Sequence, residues 1–133
     1  MESSHMAVLR IDPFPSQDEL NVLWAEAWRS PAPRNFSNVL SRSLVHIGAY
    51  ADERLVGFVN VAWDGGIHAF VLDTCVDPGM RRQGIATRMV MKASNVARER
   101  GATWMHVDFQ PHLISFYRTC GFRHTEAGLM KLK

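Results

Sequence analysis

Between Leu20 and Trp28 the apolar residues Leu20, Leu23, Trp24, Ala27 and Trp28 recur at three- and four-residue intervals. That spacing lines one face of a helix. Ser16 and Glu19 just ahead of it form the S-x-x-E capping box that satisfies the first free N–H groups. Pro31 and Pro33 then force an irregular link, and a weaker pattern from about Phe36 to Leu44 predicts a second helix. Upstream, Val8 to Ile11 reads as a short strand broken by Pro13 and Pro15.

From Val45 the period changes to two. Val45 to Ala49 and Leu55 to Ala62 predict strands joined by a turn at 51–54, and Asp64-Gly65-Gly66 predicts a second turn before a strand from His68 to Val76. These three make an antiparallel meander. The helical period returns from Gly84 to Arg100, with Ile85, Met89, Ala93, Val96 and Ala97 on one face, Arg88, Lys92 and Glu99 on the other, and Gly101 to terminate it. Trp104 to Phe109 follows as a strand. A strand, a long helix and another strand form a βαβ unit, so the strands at His68–Val76 and Trp104–Phe109 should be parallel and joined right-handedly. Leu113 to Cys120 predicts a short helix stopped by Gly121, and 122–125 with 128–132 predict a small closing hairpin. The class is α+β: a central mixed, mostly antiparallel sheet with one parallel crossover and helices on both faces.

The chain has 133 residues, enough for one domain with a real core and too few for two. No stretch approaches the roughly 18 unbroken apolar residues of a membrane span, so no membrane role is expected. Lys and Arg number 15 against 13 Asp and Glu, and an excess of that size, without aromatic interleaving, argues for no nucleic-acid partner. Cys75 and Cys120 lie far apart with neither a CxxC nor histidines at zinc-ligand spacing, which reads as buried thiols of a reducing, cytoplasmic compartment and no metal site. The opening Met-Glu-Ser-Ser-His has the look of a cloning scar or leader ahead of a single domain at 6–133.

Between the third meander strand and the long helix stands V-D-P-G-M-R-R-Q-G-I-A, Val76 to Ala86. A glycine-spaced basic turn at a helix start suits an anion, because the first N–H groups are unpaired and the macrodipole is positive there. A Walker A loop is ruled out, since Ile85-Ala86 stands where Lys-Ser/Thr is required, and no G-x-G-x-x-G is present. What remains, Arg81-x-x-Gly84-x-Ala86 after Val76-x-Pro78, resembles the R/Q-x-x-G-x-G/A signature of the GNAT superfamily of acyl-CoA-dependent N-acyltransferases. Phe116-Tyr117-Arg118-Thr119-Cys120-Gly121-Phe122 is similar to that family's F-Y-x-x-x-G-F segment, and the element order agrees along nearly the whole chain.

The resemblance implies an acetyl-CoA-dependent N-acetyltransferase in which amine attacks thioester directly. The backbone around Arg81, Arg82, Gln83, Gly84, Ile85 and Ala86 would hold the pyrophosphate, Gly84 and Ala86 lacking the bulk that would block close approach. The pantetheine arm would pair with the strand ending in Cys75 and Val76, whose N–H groups would also polarise the thioester carbonyl. Tyr117 matches the tyrosine that protonates the departing thiolate. Where the family often has an asparagine holding the pantetheine, this chain has Gln110, followed by Pro111-His112-Leu113.

The base is less fixed by resemblance, because family members use a carboxylate, a histidine or a water. Asp73 is the candidate: an acidic residue inside F-V-L-D-T-C-V is costly to bury unless paired or functional. It is expected opposite His68, Phe70, Leu72 and Thr74 unless a bulge reverses the parity. His68, His106 and Asp108 are expected to meet the acceptor, a primary ammonium drawn by Asp73 and Asp108, although both aspartates could simply pair with His68, His106 or backbone. Residues 29–37 suggest a lid. A homodimer is a further expectation. Two rival readings are a coenzyme A-binding module without catalysis and an acyltransferase acting on a protein-linked or nucleic-acid-linked amine.

Overall fold

The computed structural model describes residues 6–133, so the expected leader lies outside the described residues. Five strands form one sheet in the order of the chain: β1 Val8–Ile11, β2 Ser43–Ala51, β3 Arg54–Trp63, β4 His68–Val76 and β5 Trp104–His106. The first three pairings are antiparallel, and β4 with β5 is parallel. The connection between the parallel strands contains α3, Ile85–Glu99, so the expected crossover is present.

The first helix, α1, spans Gln17–Trp28 and begins as its sequence indicates: the Glu19 N–H donates to Ser16 Oγ at 3.1 Å and the Ser16 N–H to Glu19 Oε1 at 2.9 Å. Helix α2, Phe36–Leu40, is shorter than expected, because the chain turns directly into β2 at Ser43. Leu20, Leu23 and Trp24 of α1 pack with Phe36 and Leu40 of α2 on one face of the sheet, against Tyr50, Leu55, Phe58 and Cys75. Trp28 departs from the core stripe and is 43% exposed. On the other face, Ile85, Met89, Ala93, Val96 and Ala97 of α3 cover Val45, Ile47, Val56, Val59, Val61 and Val71. Gly57 permits this close approach, since a Cβ there would stand 3.1 Å from Met89 Sδ and Cε.

Three expectations change. The link after α1 is fastened rather than free to act as a lid: Gln17 binds the Pro33 carbonyl and the Phe36 N–H, both at 2.9 Å, and Asn21 accepts from the Ala32 N–H at 3.2 Å. Strand β5 stops at His106 instead of Phe109, because a parallel strand needs a partner and β4 has by then diverged. The short fourth helix, α4, covers Ile114–Thr119, and the closing hairpin after Gly121 is absent among the described residues.

Candidate active site

The site is built where β4 and β5 part. Their ladder runs from His68↔Trp104 to Phe70↔His106 and ends, while β4 continues to Val76 with only β3 beside it. The β5-side edge of residues 71–76 is thereby left with backbone N–H and C=O groups able to pair with an amide-bearing guest, which is strand addition in its simplest form. Cys75 and Val76 lie on this stretch. Their side chains are buried, so what they offer is backbone, and burial followed by the charge of Asp73, against the opposing pull of Arg81, leaves the Cys75 thiol inert, pushed up to about 12.

The opening coincides with a bulge. Asn60 lies opposite Leu72, but Phe58 lies opposite Cys75, so β4 carries one extra residue, and Asp73 within it adopts φ 58°. Parity reverses there. His68, Phe70 and Leu72 face the α1/α2 side and so does Cys75, which turns Thr74 to the opposite side, away from the position an unbroken strand would give it. Among the described residues no hydrogen bond or ion pair reaches the Asp73 carboxylate, and burial alone raises its pKa above the ordinary carboxylate value. A bent, strained, unpaired carboxyl is costly, and such costs concentrate at functional sites.

Tyr117, in α4, is 6% exposed. Phe109 stacks on its ring at 4.8 Å, and Phe116 and Phe122 meet it edge-on at 4.8 and 5.7 Å. Three aromatic contacts fix the ring and leave the hydroxyl as its only polar feature. Burial is the largest influence on that hydroxyl and raises its pKa, reinforced by Cys120 and Asp108; the nearby Thr74 hydroxyl pulls the other way without reversing it. The phenol therefore stays protonated through the neutral range. Thr74 Oγ1 is itself buried and makes no hydrogen bond among the described residues. Only the bulge brings Thr74 to this side, so its nearness to Tyr117 was not visible in the strand pattern.

At the C-terminal end of β4 the chain enters a tight loop and then α3. Gly84 is the N-cap of α3 with φ 75°, and no side chain caps the helix. Open space surrounds the point where a Cβ would stand on Gly84. Arg81, Arg82, Gln83 and Gly84 are all exposed, whereas Ile85 is buried beneath them and Ala86 packs partly into the core. An uncapped fifteen-residue helix with two arginines at its mouth fits a pyrophosphate. Coenzyme A would be held here by the amides of the helix start, with Arg81 and Arg82 supplying charge.

Two residues that the motif comparison passed over hold this loop. Asp77 accepts from the Gly79 N–H at 2.8 Å and from Arg54 Nη1 at 2.9 Å. Burial by itself would raise the Asp77 pKa, but the Arg54 and Gly79 hydrogen bonds and the charges of Arg54 and Arg81 outweigh it and hold the carboxyl below its ordinary value. Arg81 turns back so that Nε donates to the Val76 carbonyl at 3.3 Å. The aspartate two residues before a glycine was a readable turn signal; its arginine partner, 23 residues earlier in the chain, was not.

On the α1/α2 side the histidines find each other. His68 Nδ1 and His106 Nε2 are 2.7 Å apart, and His106 stacks on Phe70 at 4.7 Å. Neither His68 nor His106 bonds to Asp73 or Asp108 among the described residues, so the aspartate–histidine pairings left open by the sequence do not form there, and the histidines meet each other instead. Asp108 is exposed two residues beyond β5, and Gln110 is exposed at the start of the turn Pro111–Leu113. Cys120, like Cys75, is a buried free thiol. No group of three or more metal-ligating side chains occurs among the described residues, and no helix there is long and apolar enough to cross a membrane.

A splayed parallel strand pair with a bulge on its first member leads into an uncapped glycine-started helix, the arrangement that the resemblance to the GNAT superfamily implies. Residues 7–122 match the acetyltransferase (GNAT) family, and the chain belongs to it. Solved structures agree on the fold. A GNAT family acetyltransferase from Streptococcus pneumoniae superposes with a TM-score of 0.79 at 22% identity, covering 96% of this chain and 100% of that one. Glucosamine-6-phosphate N-acetyltransferase from Arabidopsis thaliana gives 0.74 at 14% identity over 93% and 97%. A Bacillus subtilis acetyltransferase in complex with CoA gives 0.71 at 21% identity over 88% and 76%. No curated protein matches the sequence.

Proposed function

We propose that this GNAT acyltransferase moves an acetyl group from acetyl-CoA to a primary amine by direct attack on the thioester. The observation that carries the reading is the open edge of β4 at its bulge, where Asp73 bears an unpaired carboxyl and the next residue, Thr74, neighbours the Tyr117 phenol. Acyl transfer to an amine needs an uncharged nucleophile, a stabilised oxyanion and a proton for the thiolate. Asp73 takes the ammonium proton, a backbone N–H near Cys75 or Val76 steadies the oxyanion, and Tyr117 protonates the sulfur as it leaves. A lysine-type amine, pKa about 10.4, is neutral in roughly one molecule in 10³ at pH 7, so a nearby carboxylate serves both to attract the cation and to deprotonate it. Asp108 adds to that field, with His68, His106 and Phe70 forming the acceptor surface. Gln110, standing where the family often has an asparagine, would hold the pantetheine arm. Two buried free thiols agree with a cytoplasmic setting.

The test is release of free thiol from acetyl-CoA across a panel of primary amines, with the Tyr117→Phe and Asp73→Asn variants alongside. Turnover with at least one amine, lowered in both variants, is expected. Tight coenzyme A binding with no turnover on any amine would overturn the reading in favour of a binding module.

A further inference from the structure

The sheet is roofed unevenly on its α1/α2 side. Helices α1 and α2 pack over Tyr50, Leu55, Phe58 and Cys75, whereas Phe70 and Leu72 of β4 and Trp104 of β5 remain 39%, 41% and 52% exposed. These three share one face, because His68 lies opposite Trp104 and Phe70 opposite His106, and side chains two apart on a strand point the same way. Imidazoles complete the row. His106 stacks on Phe70 with centroids 4.7 Å and planes 20° apart, and its Nε2 lies 2.7 Å from His68 Nδ1. The stack and the hydrogen bond hold the rings in set positions before any guest arrives. Contiguous exposed apolar side chains of this kind mark a binding surface.

Charge is offered at one end of the row only. Asp73 follows Leu72 at the bulge, and Asp108 lies two residues past β5 at the same end, because the two strands run parallel. At the opposite end the Asp64 carboxylate is spent on the Gly66 and His68 N–H groups, at 2.7 and 3.3 Å. The row itself contains no lysine or arginine. A polyamine would need a second free carboxylate at the His68 end, and a phosphorylated amine would need a cation there. What the row matches is an ammonium at the bulge and a flat, uncharged body over the rings. Leu72 and Phe70 are two residues apart, about 7 Å along the strand, a gap that a linker of about two or three carbons bridges.

We infer that the acceptor is an arylalkylamine, its ammonium at Asp73 and its ring against Phe70, Leu72 and His106, with Trp104 at the outer rim. The inference rests on the reading of acyl transfer to a primary amine, which puts the ammonium at the bulge. Phe70 and Leu72 are then specificity-determining residues, and neither needs a functional group for that role: Phe70 supplies a ring face, and Leu72 supplies apolar area between ring and amine. An aliphatic amine of similar length keeps the ion pair and loses the ring contact, so selectivity between the two reads the row alone.

Calorimetry on the protein saturated with coenzyme A, which has no acetyl group to transfer, separates amine binding from chemistry. Phenylethylamine is expected to bind at least about tenfold more tightly than butylamine, and more tightly than spermidine or phosphoethanolamine. Phe70→Ala should bring the preference for phenylethylamine over butylamine to within about twofold. Phe70→Leu, which keeps apolar volume without the ring, should lower it as well. Phe70 is already partly exposed, so the circular dichroism of both variants should match that of the native protein. Equal affinity for the two amines, tighter binding of spermidine or phosphoethanolamine, binding of no probe, or a preference that survives both substitutions would overturn the inference. Tight binding of phenylethylamine without thiol release from acetyl-CoA would instead overturn acyl transfer and leave the ring recognition in place. Thiol release with equal use of aryl and alkyl amines would do the reverse.

Discussion

Asp73 carries a charge that the fold does not neutralise, so Asp73→Asn should stabilise the protein and slow it at the same time. The carboxyl has no partner among the described residues, and burial raises its pKa. A raised carboxyl pKa means that the folded state holds its proton more tightly than the unfolded chain does. The charge therefore costs stability at every pH above the folded pKa, and the cost disappears as the pH falls below the unfolded value near 3.8. Each unit of such a shift is worth about 1.4 kcal/mol. Asparagine removes the charge, keeps the shape and tolerates the left-handed backbone at φ 58°. A gain on the order of 1 kcal/mol is expected at pH 7, or about 3–5 °C in Tm for a chain of this size. The gain over the native protein should shrink towards pH 4. Turnover should fall by about 10²–10⁴, the usual worth of a positioned base, and the acidic limb of the pH–rate profile should vanish. Thermal unfolding at pH 7 and pH 4, with thiol release measured on the same samples, reads both effects. A lower Tm at pH 7 would mean that the carboxylate is compensated, and undiminished turnover would remove Asp73 from the chemistry.

Tyr117→Phe keeps the aromatic contacts and loses only the hydroxyl, so Tm and acetyl-CoA affinity should hold while kcat drops by at least about tenfold; equal loss of affinity by calorimetry would contradict this. Gly84→Asp puts negative charge at the helix start proposed to hold the pyrophosphate and a side chain at φ 75°, at a backbone cost of roughly 1–2 kcal/mol, and coenzyme A affinity should fall on the order of 100-fold or more. Arg54→Ala frees the Asp77 carboxylate and should raise the KM for acetyl-CoA more than it alters kcat, which steady-state kinetics at saturating amine will read. For His46, burial lowers the pKa despite Asp12, with Arg100 adding to the lowering, and its Nε2 accepts from the Phe14 N–H. The unfolded chain thus takes up a proton near pH 6.5 that the folded one refuses, and stability should fall as the pH drops from about 6.5 towards the folded value. His46→Gln should lack that component when unfolding midpoints at pH 7 and pH 5 are compared.

The sequence by itself determined those features that depend on near neighbours along the chain. Ser16 and Glu19 cap α1 because both lie within one helical turn, and Ile85, Met89, Ala93, Val96 and Ala97 mark the buried face of α3 through a period that holds in any helix. Gly84 starts α3, with the exposed arginines before it, for the same local reason. Tertiary structure decided what depends on partners distant in sequence. The bulge that turns Asp73 out of register and Thr74 towards Tyr117 exists because β4 must match β3 at Asn60 and again at Phe58. The early end of β5 follows from the divergence of β4, which no pattern within Trp104–Phe109 records. Arg54 finds Asp77, and His68 finds His106, only because strands far apart in the chain become neighbours. The segment 122–133 shows the limit most plainly: its alternation specifies a strand, but a strand forms only where an edge accepts it, and that is a property of the assembled sheet.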